Sequence, residues 1–327
     1  MSSSSSSTQS ISSWETLLNQ STNQPIGASL HQETELRQTG KGSPHVQSTL
    51  RLFDSNAPPL LTLHRDHAGW CPYCQKTMLL IEEKEIPIQI NLMPMRSYGE
   101  KPASYMRLVR GGLLPALTVE KPEDGRSQTI TESQVIMELL DAWHPPQEGY
   151  KAMMPLEEMG VNGQARYQAL ASLERELFSW WCTLLFRPEM GGGGRGGGIM
   201  GMFGGGGGDA QMSGAMKGFL TCLDKVEAEL RTTSGPWFFD FASHPTMIDF
   251  IYVSHVERML ASAAYWKGLN LRSEQFKSNR YRGLNAWLEA FEQRECYLAY
   301  KSDYYTHVKD IPPQYGPGYF GGLEGIY

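Results

Sequence analysis

The chain of 327 residues is 40% hydrophobic and 20% charged, and its formal net charge is −6. This length and apolar content suffice for two domains with buried cores and for terminal extensions. The negative balance argues against nucleic-acid binding, which needs a basic face for the phosphates, and no stretch reaches the roughly 18 uncharged apolar residues of a membrane span.

Residues 1–51 predict a mostly disordered, serine-rich extension. Residues 2–7 are all serine, and no lysine or arginine occurs before Arg37. Segments of such low hydrophobicity build no core of their own, although residues 13–18 predict a short helix that docks on the body. The basic start and apolar stretch of a secretory signal are missing, so we expect a protein that is not secreted. A plastid transit peptide is serine-rich and basic, and only the first property is present.

A strand, a cysteine motif and an amphipathic helix follow one another from residue 60. Residues 60–64 predict the strand, residues 75–84 predict the helix, and Trp70-Cys71-Pro72-Tyr73-Cys74 lies between them. Cys71 therefore precedes a helix N-terminus, where unpaired N–H groups favour thiolate over thiol, and Pro72 suits the first helical position. Cys74 lies one turn further on and can form a disulfide with Cys71 or resolve a mixed disulfide on it.

A structural zinc site is the main alternative for this cysteine pair. It needs a second pair or a nearby cluster of cysteine and histidine, whereas Cys182, Cys222 and Cys296 are single and widely spaced. Five cysteines with one close pair also fit a reducing compartment better than a disulfide framework. We therefore predict a redox-active pair and no metal.

A second signal lies between residues 111 and 140. Two glycines lead through Leu114 and Pro115 into a β-prone stretch, and a strand over residues 128–130 then enters a helix that begins near Glu132 and Ser133. Those two side chains can simply cap the helix, or they can bind the amine and carboxylate of a ligand with help from N-terminal amides. Both interpretations remain open at this point.

The second half of the chain predicts a helical domain. Residues 164–186 and 209–230 show helical spacing of apolar positions, and Thr246 with Asp249 forms a capping box to which we assign a structural role only. The aromatic stretches 178–181 and 237–239 are typical of core packing. Thirteen of the eighteen residues from 191 to 208 are glycine, and this segment lacks the ending of a phosphate loop, so we interpret it as a solvated insertion.

The order of these elements resembles the glutathione transferase superfamily, in which an α/β thioredoxin-like N-terminal domain precedes an all-α C-terminal domain. A closer resemblance, to the cysteine-containing iota class of photosynthetic organisms, is found in residues 63–76, 98–101, 300–307 and 312–316. The resemblance implies a glutathione-binding domain over 52–145, a helical domain over 146–300 with the insertion 191–208, and a C-terminal extension over 301–327. We expect that extension to wrap around the body.

The resemblance also implies roles for individual residues. Cys71 matches the catalytic cysteine, Leu114-Pro115 matches the cis-proline element that pairs with the glutathione cysteinyl group, and Glu132-Ser133 matches the clamp on the γ-glutamyl end. The expected activity is a glutathione-dependent thiol transferase, acting by deglutathionylation or by dehydroascorbate-type reduction, with glutathione as co-substrate and a small disulfide or electrophile as substrate. Cys74 is the candidate resolving residue.

Two other functions stay open from the sequence. The chain can be a non-catalytic ligand carrier or assembly component on a transferase scaffold, or a CxxC reductase that uses no glutathione and cycles Cys71 and Cys74 as a disulfide. The compartment is predicted as chloroplast or cytoplasm. A homodimer or a protein partner is also left open.

Overall fold

The structure is a computed structural model that describes residues 13–95, 99–121, 126–154, 156–187, 213–240, 243–310 and residue 318. The serine run, the glycine-rich insertion and the stretch 312–316 lie outside the described residues. The predicted fold class is confirmed: a thioredoxin-like sheet with helices precedes a helical domain. No helix in the described ranges is long and apolar enough to cross a membrane.

The N-terminal extension departs from the expectation of disorder. It contains helix α1 (Trp14–Thr22) and helix α2 (Pro25–Gln38). Local capping explains how α1 begins without a core, because the Ser13 hydroxyl accepts the Thr16 N–H at 3.1 Å. The expected docking of α1 on the body is wrong: none of its residues is buried, Trp14 is 86% exposed, and the helix lies against α2.

Five strands form one sheet in the order β1-β3-β2-β4-β5. They are β1 (Leu50–Arg51), β2 (Leu61–Asp66), β3 (Ile88–Met93), β4 (Ala116–Lys121) and β5 (Arg126–Ile130). Only β2 and β3 are paired in parallel. Strand β1 ends the segment that we predicted as an extension, because Leu50 and Arg51 pair with β3 at the sheet edge.

Three helices lie in the same domain as this sheet. They are α3 (Pro72–Lys84), α4 (Ala103–Leu108) and α5 (Ser133–Trp143). Helix α3 connects the parallel strands β2 and β3, which need a crossover of this kind. Its apolar side chains Met78, Leu79 and Ile81 are fully buried with Leu63 of the central strand. The cysteine motif lies at the N-terminal end of this buried helix.

The second domain contains six helices in the described residues. They are α6 (Leu156–Phe186), α7 (Gly214–Leu230), α8 (Met247–Lys267), α9 (Arg282–Glu292), α10 (Glu295–Tyr300) and α11 (Tyr304–Asp310). Helix α8 is central: most of its residues are buried, and α3, α6 and α11 all pack on it. The start of the C-terminal extension therefore lies on the body, as expected, through α11.

The capping box at the start of α8 is confirmed. The backbone N–H and the hydroxyl of Thr246 donate to the Asp249 carboxylate at 2.8 and 2.7 Å. The other carboxylate oxygen of Asp249 accepts the Trp287 indole N–H at 2.9 Å. Asp249 is fully buried, and burial raises its pKa even though these donors act in the opposite direction. The residue ties three segments of the helical core together, which is the structural role assigned to it.

Candidate active site

Cys71 is the N-cap residue of α3, as the sequence predicts. Its backbone is extended (φ −70°, ψ 119°), Pro72 occupies the first helical position, and the Gln75 N–H donates to the Cys71 carbonyl at 2.9 Å. This arrangement leaves the first amides of the helix without partners inside the helix, at the positive end of the helix dipole. Cys71 therefore occupies the position that the sequence assigns to the nucleophile.

A buried carboxylate, Asp66, holds the loop in front of this helix. It stands at the end of β2, and its Oδ2 accepts the backbone N–H groups of Trp70 at 2.9 Å and Cys71 at 3.2 Å. Asp66 is only 1% exposed. Sequence reasoning missed it, and the only available signal was an acidic residue at the last position of a buried strand.

Cys74 is a second thiol beside Cys71. One sulphur from each cysteine and one carboxylate oxygen of Asp66 lie within 4.8 Å of one another. Burial raises the pKa of the Cys74 thiol well above its usual range, and its hydrogen bond to Cys71 acts in the same direction. Cys74 is therefore protonated at neutral pH and suits a resolving role better than a first attack. The same two sulphurs and one oxygen are the donor types that a thiophilic ion such as Zn²⁺ accepts, with an open coordination position.

Leu114 and Pro115 lie at the entrance to β4, beside the end of β2. The peptide bond between them is cis, as the resemblance implies. Ala116 follows directly and pairs with His64 across the β2–β4 ladder. Leu114 is half-buried, whereas Pro115 is buried. His64 itself is bonded to the Thr118 hydroxyl at 3.0 Å, a contact within the sheet.

Glu132 and Ser133 stand at the start of α5. Glu132 is the N-cap residue, but its side chain makes no capping hydrogen bond, and its backbone has the positive φ of 69°. Left-handed backbone at a residue other than glycine costs about 1 kcal/mol or more and is common where a ligand is held. Of the two interpretations left open by the sequence, side-chain capping by Glu132 is thus absent. Ligand binding remains as the hypothesis.

Lys76 links these parts electrostatically and was missed from the sequence. It is 5% exposed and lies in α3 within charge–charge range of both Cys71 and Glu132. Burial lowers the pKa of its ammonium group to about 8, although neighbouring negative charges partly offset the effect. The ammonium group is therefore mostly charged at neutral pH, and it interacts with Glu174 of α6 more strongly than with Cys71 or Glu132.

The wall of the site from the second domain is also charged. In α6, Arg175 donates to the Glu174 carboxylate through two nitrogens at 2.6 and 2.7 Å. The buried His255 of α8 approaches the same carboxylate at 2.6 Å through Nδ1. Arg175 also bonds to Tyr73 of the cysteine motif, and about half of its side chain is exposed. A co-substrate that approaches Cys71 from this side meets a solvent-accessible guanidinium group.

Two family models match the chain. Residues 70–143 match the N-terminal domain of glutathione S-transferases, and residues 209–290 match the C-terminal domain. A curated relative is a probable chloroplastic glutathione S-transferase of rice (Oryza sativa subsp. japonica), DHAR2, which is 26% identical over 111 residues. That alignment covers 32% of this chain and 38% of the rice protein, so the chain spans well under two thirds of its length.

Solved structures show the same fold at low identity. Glutathione transferase Omega 3C from Trametes versicolor has a TM-score of 0.54 at 18% identity, covering 79% of this chain and 91% of its own. Dehydroascorbate reductase from Chlamydomonas reinhardtii has a TM-score of 0.52 at 16% identity, covering 79% and 100%. The trimeric Leishmania glutathione transferase TDR1 has a TM-score of 0.56 at 18% identity, covering 79% and 49%.

Proposed function

Because residues 70–143 and 209–290 match the models of the two glutathione S-transferase domains, we propose that the chain is a glutathione-dependent thiol transferase with Cys71 as its nucleophile. The observation that carries the proposal is the position of Cys71 as N-cap of α3, at the positive end of the helix dipole. A tyrosine or serine hydroxyl at this place stabilises the glutathione thiolate for conjugation, whereas a cysteine can exchange with a glutathione disulfide and carry glutathione as a mixed disulfide while a thiolate leaves.

The reaction proceeds by two thiol–disulfide exchanges. The Cys71 thiolate attacks the glutathionyl sulphur of a mixed disulfide, so that the substrate thiolate leaves and Cys71 carries glutathione. The thiolate of a second glutathione then attacks that glutathionyl sulphur, which releases oxidised glutathione and restores the Cys71 thiolate. With dehydroascorbate as oxidant, the balance is two glutathione molecules oxidised to one disulfide for each two-electron reduction.

Glutathione is proposed to lie across the ends of β4 and α5. The backbone of Leu114, next to Pro115, pairs with its cysteinyl part, and Glu132 with Ser133 holds the γ-glutamyl end. Two observations support this: the Glu132 side chain makes no capping hydrogen bond, and the Lys76 ammonium group is within charge–charge range of both Glu132 and Cys71.

A CxxC reductase that needs no glutathione is the second candidate. The contact between the Cys74 and Cys71 thiols favours it, because a resolving cysteine at this distance can displace the substrate thiol from a mixed disulfide on Cys71 and close a disulfide. The two candidates differ in what the second cysteine is needed for. In a thiol transferase that uses free glutathione, Cys74 is dispensable for turnover.

Intact-mass analysis after incubation with oxidised glutathione tests both candidate functions. Wild type, Cys71→Ser and Cys74→Ser are compared, with Cys222→Ser in α7 as a control in a remote buried thiol. Turnover on a glutathionylated model disulfide is measured in parallel. One adduct that requires Cys71, and turnover that survives in Cys74→Ser, support the proposal. Turnover lost in Cys74→Ser favours the reductase, and the absence of adduct and turnover favours a carrier or assembly role.

Three further statements belong to the proposal. They are the iota class, the domain boundaries 52–145, 146–300 and 301–327, and the compartment. The class rests on residues 63–76 and 300–307 of the sequence. A chloroplast location is supported by the chloroplastic rice relative. Fractionation of cells with an antibody to the chain tests it, and a signal confined to the cytosol would contradict it.

A further inference from the structure

Arg258 of α8 reaches the residue that precedes the nucleophile. Its Nε donates to the Trp70 carbonyl at 2.9 Å, and its Nη2 donates to the same oxygen. Its Nη1 donates to the Gln75 side-chain oxygen at 2.9 Å. Gln75 belongs to α3, one turn after Cys71. A single guanidinium group from the second domain thus binds both the loop before the cysteine and the helix after it.

The same glutamine leads to the C-terminal extension. Its Nε2 donates to the Glu257 carboxylate at 2.9 Å and to the Tyr300 carbonyl at 3.1 Å. The other oxygen of Glu257 accepts His307 Nε2 at 2.5 Å and the Ser302 N–H at 3.1 Å. The extension therefore contacts the cysteine helix through two buried side chains.

These groups lie in the buried interior of the protein, where hydrogen bonds to charged groups are strong. Gln75, Glu257, Arg258 and His307 are each 3% exposed or less. Burial lowers the pKa of His307, so a neutral imidazole donates to an ionised Glu257, whose pKa the contact with His307 holds down against its own burial. Breaking one link leaves a buried charge without its donor, which disturbs the rest of the set.

We propose that Arg258, Gln75, Glu257 and His307 act as positioning residues, through which the segment 300–310 holds the Trp70–Cys71 peptide in its reactive conformation. Asp66 binds the N–H groups of this peptide unit and its neighbour, while Arg258 binds the Trp70 carbonyl, so the chain is held from both domains. Held in this way, Cys71 stays at the N-cap of α3, at the positive end of the helix dipole. The inference rests on the proposed function for its role in turnover.

The test measures carbamidomethylation of Cys71 by iodoacetamide at pH 7, localised by fragment mass spectrometry on the full-length protein. The variants are His307→Ala, Gln75→Leu and the double variant. His307→Gln tests rescue, because its amide can still donate to Glu257. Thr306→Ala is the matched control, since Thr306 stands next to His307 in α11 but bonds only to Asp303. Thermal melts show whether each variant is folded.

We expect the Cys71 rate to fall at least about threefold in both single variants and to stay within about twofold of wild type in His307→Gln and Thr306→Ala. The double variant should lose less than the product of the two single effects, because both act through one chain of contacts. In turnover, kcat should fall while the KM for glutathione stays unchanged. An unchanged or raised rate in folded His307→Ala and Gln75→Leu, or a multiplicative double variant, overturns the proposal.

Alkylation uses no glutathione, so the two proposals fail separately. If wild type shows turnover but the alkylation rates do not respond to these variants, the positioning role is wrong and the transferase stands. If the rates respond as expected and no variant, including wild type, turns over, the positioning role stands and the transferase is wrong.

Discussion

Asp66 accepts a hydrogen bond from the backbone N–H of Cys71 through one carboxylate oxygen, at 3.2 Å, and its charge lies beside the thiol of Cys74. The side chain thus has two effects that substitution can separate. It orders the loop that presents the nucleophile, and it disfavours a second negative charge at Cys74. An asparagine preserves an acceptor for the loop, whereas an alanine removes the acceptor and the charge together.

Asp66→Ala should lower the free energy of unfolding by about 1–3 kcal/mol, because two buried N–H groups lose their acceptor. Asp66→Asn should cost less and should lower the pKa of the Cys74 thiol, since a neighbouring negative charge is removed. Urea unfolding measures the first effect, and the pH dependence of Cys74 alkylation measures the second. A midpoint for Cys74 that is unchanged in Asp66→Asn would show that burial and the contact with Cys71 set the pKa of Cys74.

Lys76 predicts a pH dependence of ligand binding. The pKa of its ammonium group is lowered to about 8, so its charge is lost between pH 7 and 9. If this cation binds a glutathione carboxylate, affinity for S-methylglutathione should fall about fivefold over that interval, the weight of an ion pair worth about 1 kcal/mol. Isothermal titration calorimetry at both pH values gives the ratio.

Two substitutions isolate the contribution of this lysine from the titration of the ligand. Lys76→Arg keeps its charge at pH 9 and should flatten the dependence, whereas Lys76→Gln should bind weakly at both values. Equal pH dependence in wild type and Lys76→Arg would mean that the ligand amine, and not Lys76, produces the change.

His255 predicts a loss of stability in mild acid. Burial lowers its pKa to about 4, against 6.5 for an unperturbed histidine, so the unfolded chain binds more protons between these values. Stability from this group is complete above pH 6.5 and is lost as the pH falls toward 4, by on the order of 2–3 kcal/mol. The lowered pKa of Glu174 acts in the same direction at still lower pH.

Urea unfolding at intervals from pH 7 to pH 4.5 measures this slope. His255→Gln should flatten it, and His31→Gln, a substitution on the surface helix α2, should leave it as in wild type. A slope that survives in His255→Gln would assign the acid sensitivity to other groups.

The features of this site that depend on local order along the chain were predictable from the sequence. The features that depend on contacts between distant residues were not. The N-cap position of Cys71 follows from a strand, a proline and helical spacing within a dozen residues, so it was predictable. Arg258 is 188 residues from the Trp70 carbonyl that it binds, and His307 is 50 residues from Glu257. Glu257 and Arg258 look like ordinary polar positions of α8, because the sequence pattern of that helix does not show which neighbours bury them.

The C-terminal segment 301–310 predicts a stability difference between two truncated chains. A chain that ends at Tyr300 lacks the donors of His307 and Ser302 to the buried Glu257 carboxylate, together with the packing of the buried Val308. A chain that ends at Asp310 keeps α11, so the difference in stability between the two chains isolates the contribution of this segment.

We expect the shorter chain to be less stable by on the order of 3 kcal/mol, the scale of a buried charge left without partners. Its thermal midpoint should therefore lie several degrees lower by calorimetry. Equal midpoints would show that α11 rests on α8 without stabilising it, and would also remove the physical basis for its hold on the cysteine helix.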